Sequence, residues 1–130
     1  MLHSREVLPN DYDQLCDWWQ AWGWLSPMPQ NLLGDGIMVC DDDVNVCAGF
    51  LYTIKEAPIA WFTFPVSNPE VRGEIRKYAI QSLIELMTQK AKDGGAILMY
   101  SALRNTGMIE AQKKAGFVVN GGYSELIKTL

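Results

Sequence analysis

The chain has 130 residues, of which 48% are apolar and 20% charged, and a formal net charge of −4. That is the size and composition of one globular domain with one real core. Lys and Arg are scattered apart from Arg72, Arg76 and Lys77, which argues against a nucleic-acid partner, and no apolar stretch is long enough to span a bilayer.

Elements follow in chain order. The opening MLHSREVLPNDYD has no apolar h-region, and a short first strand is expected over 4–8. Pro9-Asn10-Asp11 then opens a helix, with Asn10 or Asp11 as its cap. Tyr12, Leu15, Trp19 and Trp22 recur at helical spacing until Gly23, so Trp19 and Trp22 are expected to face the core. Residues 24–34 are interrupted by proline, with one short helical turn at 30–33. Strands over 36–40, 44–55 and 59–66 are rich in β-branched and aromatic residues and separated by turns, which predicts a meander.

Ser67-Asn68-Pro69-Glu70 is a helix start in either of two registers, with Ser67 or Asn68 as the cap. Ile75, Ala79, Leu83, Leu86 and Met87 form one apolar stripe that Gly94-Gly95 ends. A buried strand is expected over 96–103. Asn105 caps a short helix to Ala115, and a closing hairpin is expected over 117–120 and 123–130 around Gly121-Gly122. The long helix is the crossover of a βαβ unit, so the fold class is α/β, a single domain over 1–130 with a mixed, mostly antiparallel sheet.

Cys16, Cys40 and Cys47 are an odd set, as reduced thiols of a cytoplasmic protein would be. A site drawn from Cys40, Cys47, an aspartate and His3 matches no common zinc spacing, so no metal is expected.

This order resembles the fold of the GCN5-related N-acetyltransferases over essentially the whole chain. Val66-Ser67-Asn68-Pro69 is similar to that family's fourth-strand exit into its acyl-CoA helix. Asn105, Ala111 and Lys114-Ala115-Gly116-Phe117 resemble its Asn…Ala…Gly-Phe signature. Leu8-Pro9-x-Asp11-Tyr12 and Trp18-Trp19-x-x-Trp22 look like segments of small acetyltransferase-like proteins of tailed bacteriophages.

The resemblance implies acetyl-CoA as cosubstrate, held where the fourth and fifth strands splay. Phe64 and Val66 would meet the pantetheine arm. Pro65, which has no N–H, either marks a bulge there or ends an edge strand. By register back from Gly95, the family's pyrophosphate loop falls on Glu74-Ile75-Arg76-Lys77-Tyr78-Ala79, where only Ala79 fits its pattern. Arg72, Arg76 and Lys77 would supply charge in place of the missing glycines, with Tyr78, Ala79 and Asn105 completing the cofactor set.

The family's acid is a Tyr four residues before the Gly of Gly-Phe, a position that here holds Gln112. Tyr100 is the remaining candidate acid, and the fourth and fifth strands carry no carboxylate to act as base. Trp18 and Trp24 are candidates to line an acceptor pocket or a protein-binding surface. The implied activity is acetyl transfer to an amine of a small molecule or protein, from a monomer or homodimer. The alternative is an inactive protein of the same fold that acts by binding a partner.

Overall fold

The computed structural model describes residues 1–24, 28–122 and 124–130. A five-stranded sheet forms its centre, in the spatial order β1 (Leu2–Glu6), β2 (Asp35–Asp41), β3 (Val44–Thr53), β4 (Ile59–Ser67) and β5 (Leu98–Ser101). The first four strands form an antiparallel meander, and β5 pairs β4 in parallel. Parallel neighbours cannot be joined by a tight turn. The connection is α2 (Gly73–Asp93), which packs across β2, β3 and β4.

Two cores lie on opposite faces of the sheet. On one face Ala79, Leu83, Ile84, Met87 and Ala91 of α2 pack against Val39, Val46, Cys47, Leu51, Ala60 and Phe62. On the other, α1 (Tyr12–Ala21) presses Leu15, Trp18 and Trp19 against Met38, Cys40, Ala48, Phe50 and Val66. α3 (Thr106–Lys114) lies beside α2. Its cap is as expected: Asn105 Oδ1 accepts from Met108 N at 2.9 Å, satisfying a first-turn amide.

Several expectations are corrected. β1 begins two residues earlier than expected, at Leu2, because its ladder to β2 starts at Leu2↔Asp41. In α1, Trp18 is buried with Trp19, whereas Trp22 is 41% exposed. The buried stripe is therefore Leu15, Trp18 and Trp19, at i, i+3 and i+4. Trp22 stands past the last turn, as the C-cap.

The long helix begins at Gly73, later than either register at Ser67-Asn68. Ser67 still pairs Cys47 in the sheet. Asn68 is tied down by four bonds: its N–H to Val46 O, its amide to Asn45 O, Glu70 N–H to its Oδ1, and Val71 N–H to its main-chain O. A side chain that bonds its neighbours' backbone in this way holds a turn instead of a helix.

β5 is shorter than expected and half exposed, because nothing pairs its outer edge among the described residues. The closing hairpin does not form among the described residues 117–122 and 124–130, and Tyr123 lies outside them. Phe117 N–H bonds Gln112 O and its ring packs on the α2 core, but Val118, Leu126 and Ile127 find no surface to cover. A hairpin without such a surface is marginal.

A polar clamp fixes α1 to the sheet. Arg5 donates to both carboxylate oxygens of Asp11, at 2.8 and 2.9 Å, and to Asn45 Oδ1 at 3.1 Å. Asp11 Oδ2 also accepts from Leu8 N at 2.7 Å, and Asn45 donates to Gln14. Asp11 is thus spent on the clamp and makes no side-chain cap to α1. The Arg5 hydrogen bonds hold the nearly buried Asp11 carboxyl below its ordinary pKa against the opposing effect of desolvation, and Leu8 N–H adds to the lowering.

A carboxylate with a depressed pKa stabilises the fold fully above its unfolded pKa, about 3.9, and loses that contribution as pH falls through the folded value. Asp11→Asn should cost about 2 kcal/mol at pH 7 in urea unfolding. The gap between wild type and variant should narrow below about pH 4; a gap independent of pH would show that the charge of Asp11 contributes nothing.

β3 and β4 are bulged. Phe50 pairs Thr63 and Ala48 pairs Val66, so Gly49 alone faces Phe64 and Pro65. A Cβ on Gly49 would come within 2.6 Å of Phe62 Cε1, and Phe62 is held by the core that contains Leu83. Gly49→Ala should therefore destabilise the protein by roughly 2 kcal/mol, read as a lower urea midpoint at unchanged slope.

Candidate functional site

Two residues against one is the pattern of a β-bulge, and it bends the strand that carries the extra residue. Phe64 takes φ +52°, a left-handed conformation that is uncommon outside glycine, and Pro65 follows it. Of the two readings of Pro65, the bulge is the one found, since β4 continues through it to Ser67.

The bend coincides with the end of β4–β5 pairing. The last rung joins Phe62 to Ser101, where β5 ends. Thr63 to Ser67 continue with one edge facing no strand, and their chain leads into the start of α2. Strand register sorts the side chains at this point. Ser101 is opposite Phe62 and shares its α2-side face, whereas Trp61 and Tyr100 are opposite one another on the α1 side.

On the α1 side the surface is aromatic. Tyr52, Trp61 and Tyr100 occupy one rung across β3, β4 and β5. Trp61 and Tyr100 stack at 4.9 Å between centroids, and both are well exposed. Trp24 lies 6.2 Å from Phe64 and 6.0 Å from Trp19, while Tyr52 meets Phe64 edge-on at 6.3 Å. Tyr100 thus takes part in an aromatic surface, and Trp24, not the buried Trp18, extends it.

At the start of α2 the arrangement is cationic. Arg72 is the N-cap residue and makes no side-chain cap, so the first-turn amides have neither an intrahelical acceptor nor a capping side chain. Arg76 folds back over this turn. Its guanidinium donates to the carbonyls of Val71 and Pro69, and a Cβ on Gly73 would meet Arg76 Nη2 at 3.6 Å. The guanidinium also lies 5.5 Å from the centroid of Trp22. Trp22 in turn donates its indole N–H to Ser67 O at 2.7 Å, and Trp19 donates to Phe64 O at 3.3 Å.

The expected loop at 74–79 is corrected: all six residues are helical. Amides beyond the first turn are bonded within the helix, so Lys77, Tyr78 and Ala79 offer none. The residue that leaves the backbone open here is Gly73, which register counting from Gly95 passed over.

The remaining candidates separate. Arg72, Lys77 and Tyr78 are exposed. Val66 and Ala79 are buried in opposite cores, and Asn105 is occupied as the α3 cap. Gln112 is 4% exposed on the inner face of α3. Its Nε2 and the Oγ of Ser101 are the buried side-chain polar atoms without a hydrogen-bond partner among the described residues. In the sequence Ser101 stands out only as a polar residue of the fifth strand beside Tyr100, and Gln112 only as a departure from a pattern.

Cys40 and Cys47 sit in different cores, on opposite faces of the sheet. Burial pushes the Cys47 thiol far above its ordinary pKa, so it is not a reactive thiolate. No helix among the described residues is long and apolar enough to cross a membrane.

No protein-family model and no curated protein matches the sequence. The fold, however, matches solved structures along nearly their whole length. One is a predicted acetyltransferase with acetyl-CoA from Clostridium acetobutylicum: TM-score 0.68, 14% identity, covering 98% of this chain and 96% of that one. An aminoglycoside acetyltransferase from an uncultured soil metagenomic sample, in complex with sisomicin, gives 0.71, 14%, 99% and 96%. The ribosomal-protein-alanine N-acetyltransferase from Brucella melitensis gives 0.69, 12%, 99% and 99%. The chain has the acetyltransferase fold.

Proposed function

We propose that the protein is an N-acetyltransferase that moves acetyl from acetyl-CoA to an amine. The observation that carries this reading is the coincidence of three features along one stretch of chain. The β4–β5 ladder stops at Phe62, β4 continues with a free edge, and its chain leads to a helix start without a side-chain cap, over which Arg76 folds and near which the sequence holds the exposed Arg72 and Lys77.

Unpaired first-turn amides and a helix dipole attract anions. A cation at this end of a helix is otherwise unfavourable, so Arg76 over the first turn fits a site that receives phosphate. In this assignment the backbone at Phe64 and Val66 meets the pantetheine arm, and Arg72, Arg76 and Lys77 meet the pyrophosphate of the coenzyme. The exposed ring of Tyr78 borders the same end, Ala79 lets α2 sit close to the sheet, and Asn105 fixes α3. Glu74 in the first turn opposes anion binding, which sets a modest affinity.

The acceptor belongs on the aromatic face. The stacked Trp61 and Tyr100 are within a rung of where pairing ends, and such rings attract a protonated amine through their faces. We assign Tyr100 to this surface as well as to proton transfer near the thioester. β4 and β5 carry no carboxylate, so the amine's proton leaves to water. The resemblance to the aminoglycoside and ribosomal-protein enzymes supports an amine acceptor and is neutral between a small molecule and a protein. A second reading, a partner-binding protein of the same fold, draws on the exposed apolar residues Val118, Leu126 and Ile127.

Calorimetric titration with acetyl-CoA, with dephospho-CoA for comparison, tests the assignment. Saturable one-to-one binding is expected, with amine-dependent release of thiol. Arg76→Ala and Lys77→Ala should each weaken acetyl-CoA binding about tenfold. No binding at millimolar ligand would turn the reading to the partner-binding alternative.

A further inference from the structure

Of the three cations near the start of α2, Arg72 and Lys77 are exposed and Arg76 is half-buried. The positive end of a helix dipole repels a cation, so an unsupported side chain would swing out into water. Arg76 is held on two sides. Its Nη1 donates to the carbonyls of Val71 and Pro69, in the turn before the helix. Its Cζ lies 5.5 Å from the centroid of the Trp22 ring, within range of a cation–π attraction. Nη2 donates to nothing among the described residues and lies 3.6 Å from where a Cβ on Gly73 would stand. One nitrogen is thus anchored while the other remains over the first turn, an arrangement that a guanidinium fork allows and a lysine does not.

Trp22 is fixed in turn. Its indole N–H donates to Ser67 O at 2.7 Å, beyond the point where β4 has lost β5. The ring is 41% exposed, so packing in the core does not account for its place. α1 and α2 pack on opposite faces of the sheet, and Trp22 with Arg76 joins them past the end of β4.

From this geometry we infer that Trp22 is a positioning residue for the coenzyme site. From the end of α1 it holds the Arg76 guanidinium over the first turn of α2, leaving Nη2 for a phosphate oxygen, and itself touches no phosphate. This rests on the acetyltransferase reading above. A guanidinium ordered before the ligand arrives loses less freedom on binding, so the ring contributes affinity without a contact of its own.

Calorimetric titration with acetyl-CoA of Trp22→Leu, Arg76→Ala and the double variant tests this. Trp22→Leu should bind about tenfold more weakly, as Arg76→Ala does, and the double variant no more weakly than either. Trp22→Phe keeps a ring face for the guanidinium and loses the bond to Ser67, so it should lose about threefold. Where Trp22→Leu does not fold, Trp22→Phe carries the same comparison. Losses that multiply in the double variant would mean that Trp22 acts on the fold and not through Arg76. Wild-type affinity in Trp22→Leu would mean that Arg76 needs no support, and wild-type affinity in Arg76→Ala that there is nothing to position. Each of these overturns the inference while acetyl-CoA binding by the wild type leaves the proposed function standing. Wild-type protein that does not bind acetyl-CoA overturns the proposed function, and this inference with it.

Discussion

The structure depends on the bulge that sets Phe64 and Pro65 of β4 against the single residue Gly49 of β3. Because an extra residue bends its strand, β4 cannot stay in register with both neighbours past this point. It keeps β3, pairing Ala48 with Val66 and Cys47 with Ser67, and gives up β5 at Ser101. The lost rungs open the sheet on one side of β4. Gly49 makes room for the Phe62 ring that anchors the bend, and Phe64 carries the backbone strain. Such strain persists where surrounding contacts over-determine it. Here those contacts are the rings of Trp19, Trp24 and Tyr52 around Phe64.

Around that opening the two faces of the sheet do different work. The α1 face is aromatic and well exposed at Trp61 and Tyr100. The α2 face carries the buried core of α2, with Ser101 at its edge opposite Phe62. The α2 start collects the charge: Arg76 is fastened to Val71, Pro69 and Trp22, and Trp22 to Ser67. These bonds tie α1's end to the exit of β4. The Arg5–Asp11–Asn45 clamp ties α1's beginning to β1 and β3. With both ends held, α1 keeps its tryptophans in register over the bulge.

The order of elements was legible because it rests on local chemistry. β-Branched and aromatic content with turn residues predicts three strands of the meander, the apolar stripe from Ile75 to Met87 predicts α2, and Asn105 predicts its own cap. Local signals failed where two were equally good. Ser67 and Asn68 both suit a helix cap, but Ser67 is taken by β3 and Asn68 by Val46, Asn45 and Glu70. The phase of α1 was misread for a similar reason: with tryptophan at 18, 19 and 22, periodicity alone admits two stripes, and the sheet beneath selects Leu15, Trp18 and Trp19.

The sequence by itself determined the α/β class, the meander, the crossover helix and the interruption at Pro65, because turn chemistry, hydrophobic period and a missing N–H act over a few residues. Only the tertiary structure decided where β4 and β5 part and that the helix opens at Gly73, not at Ser67-Asn68. It also decided that Trp61 stacks on Tyr100 and that Gln112 Nε2 and Ser101 Oγ are buried without partners among the described residues. Those are properties of pairs far apart in the chain. Register, burial and hydrogen-bond satisfaction exist only once the sheet has assembled, so no local pattern encodes them.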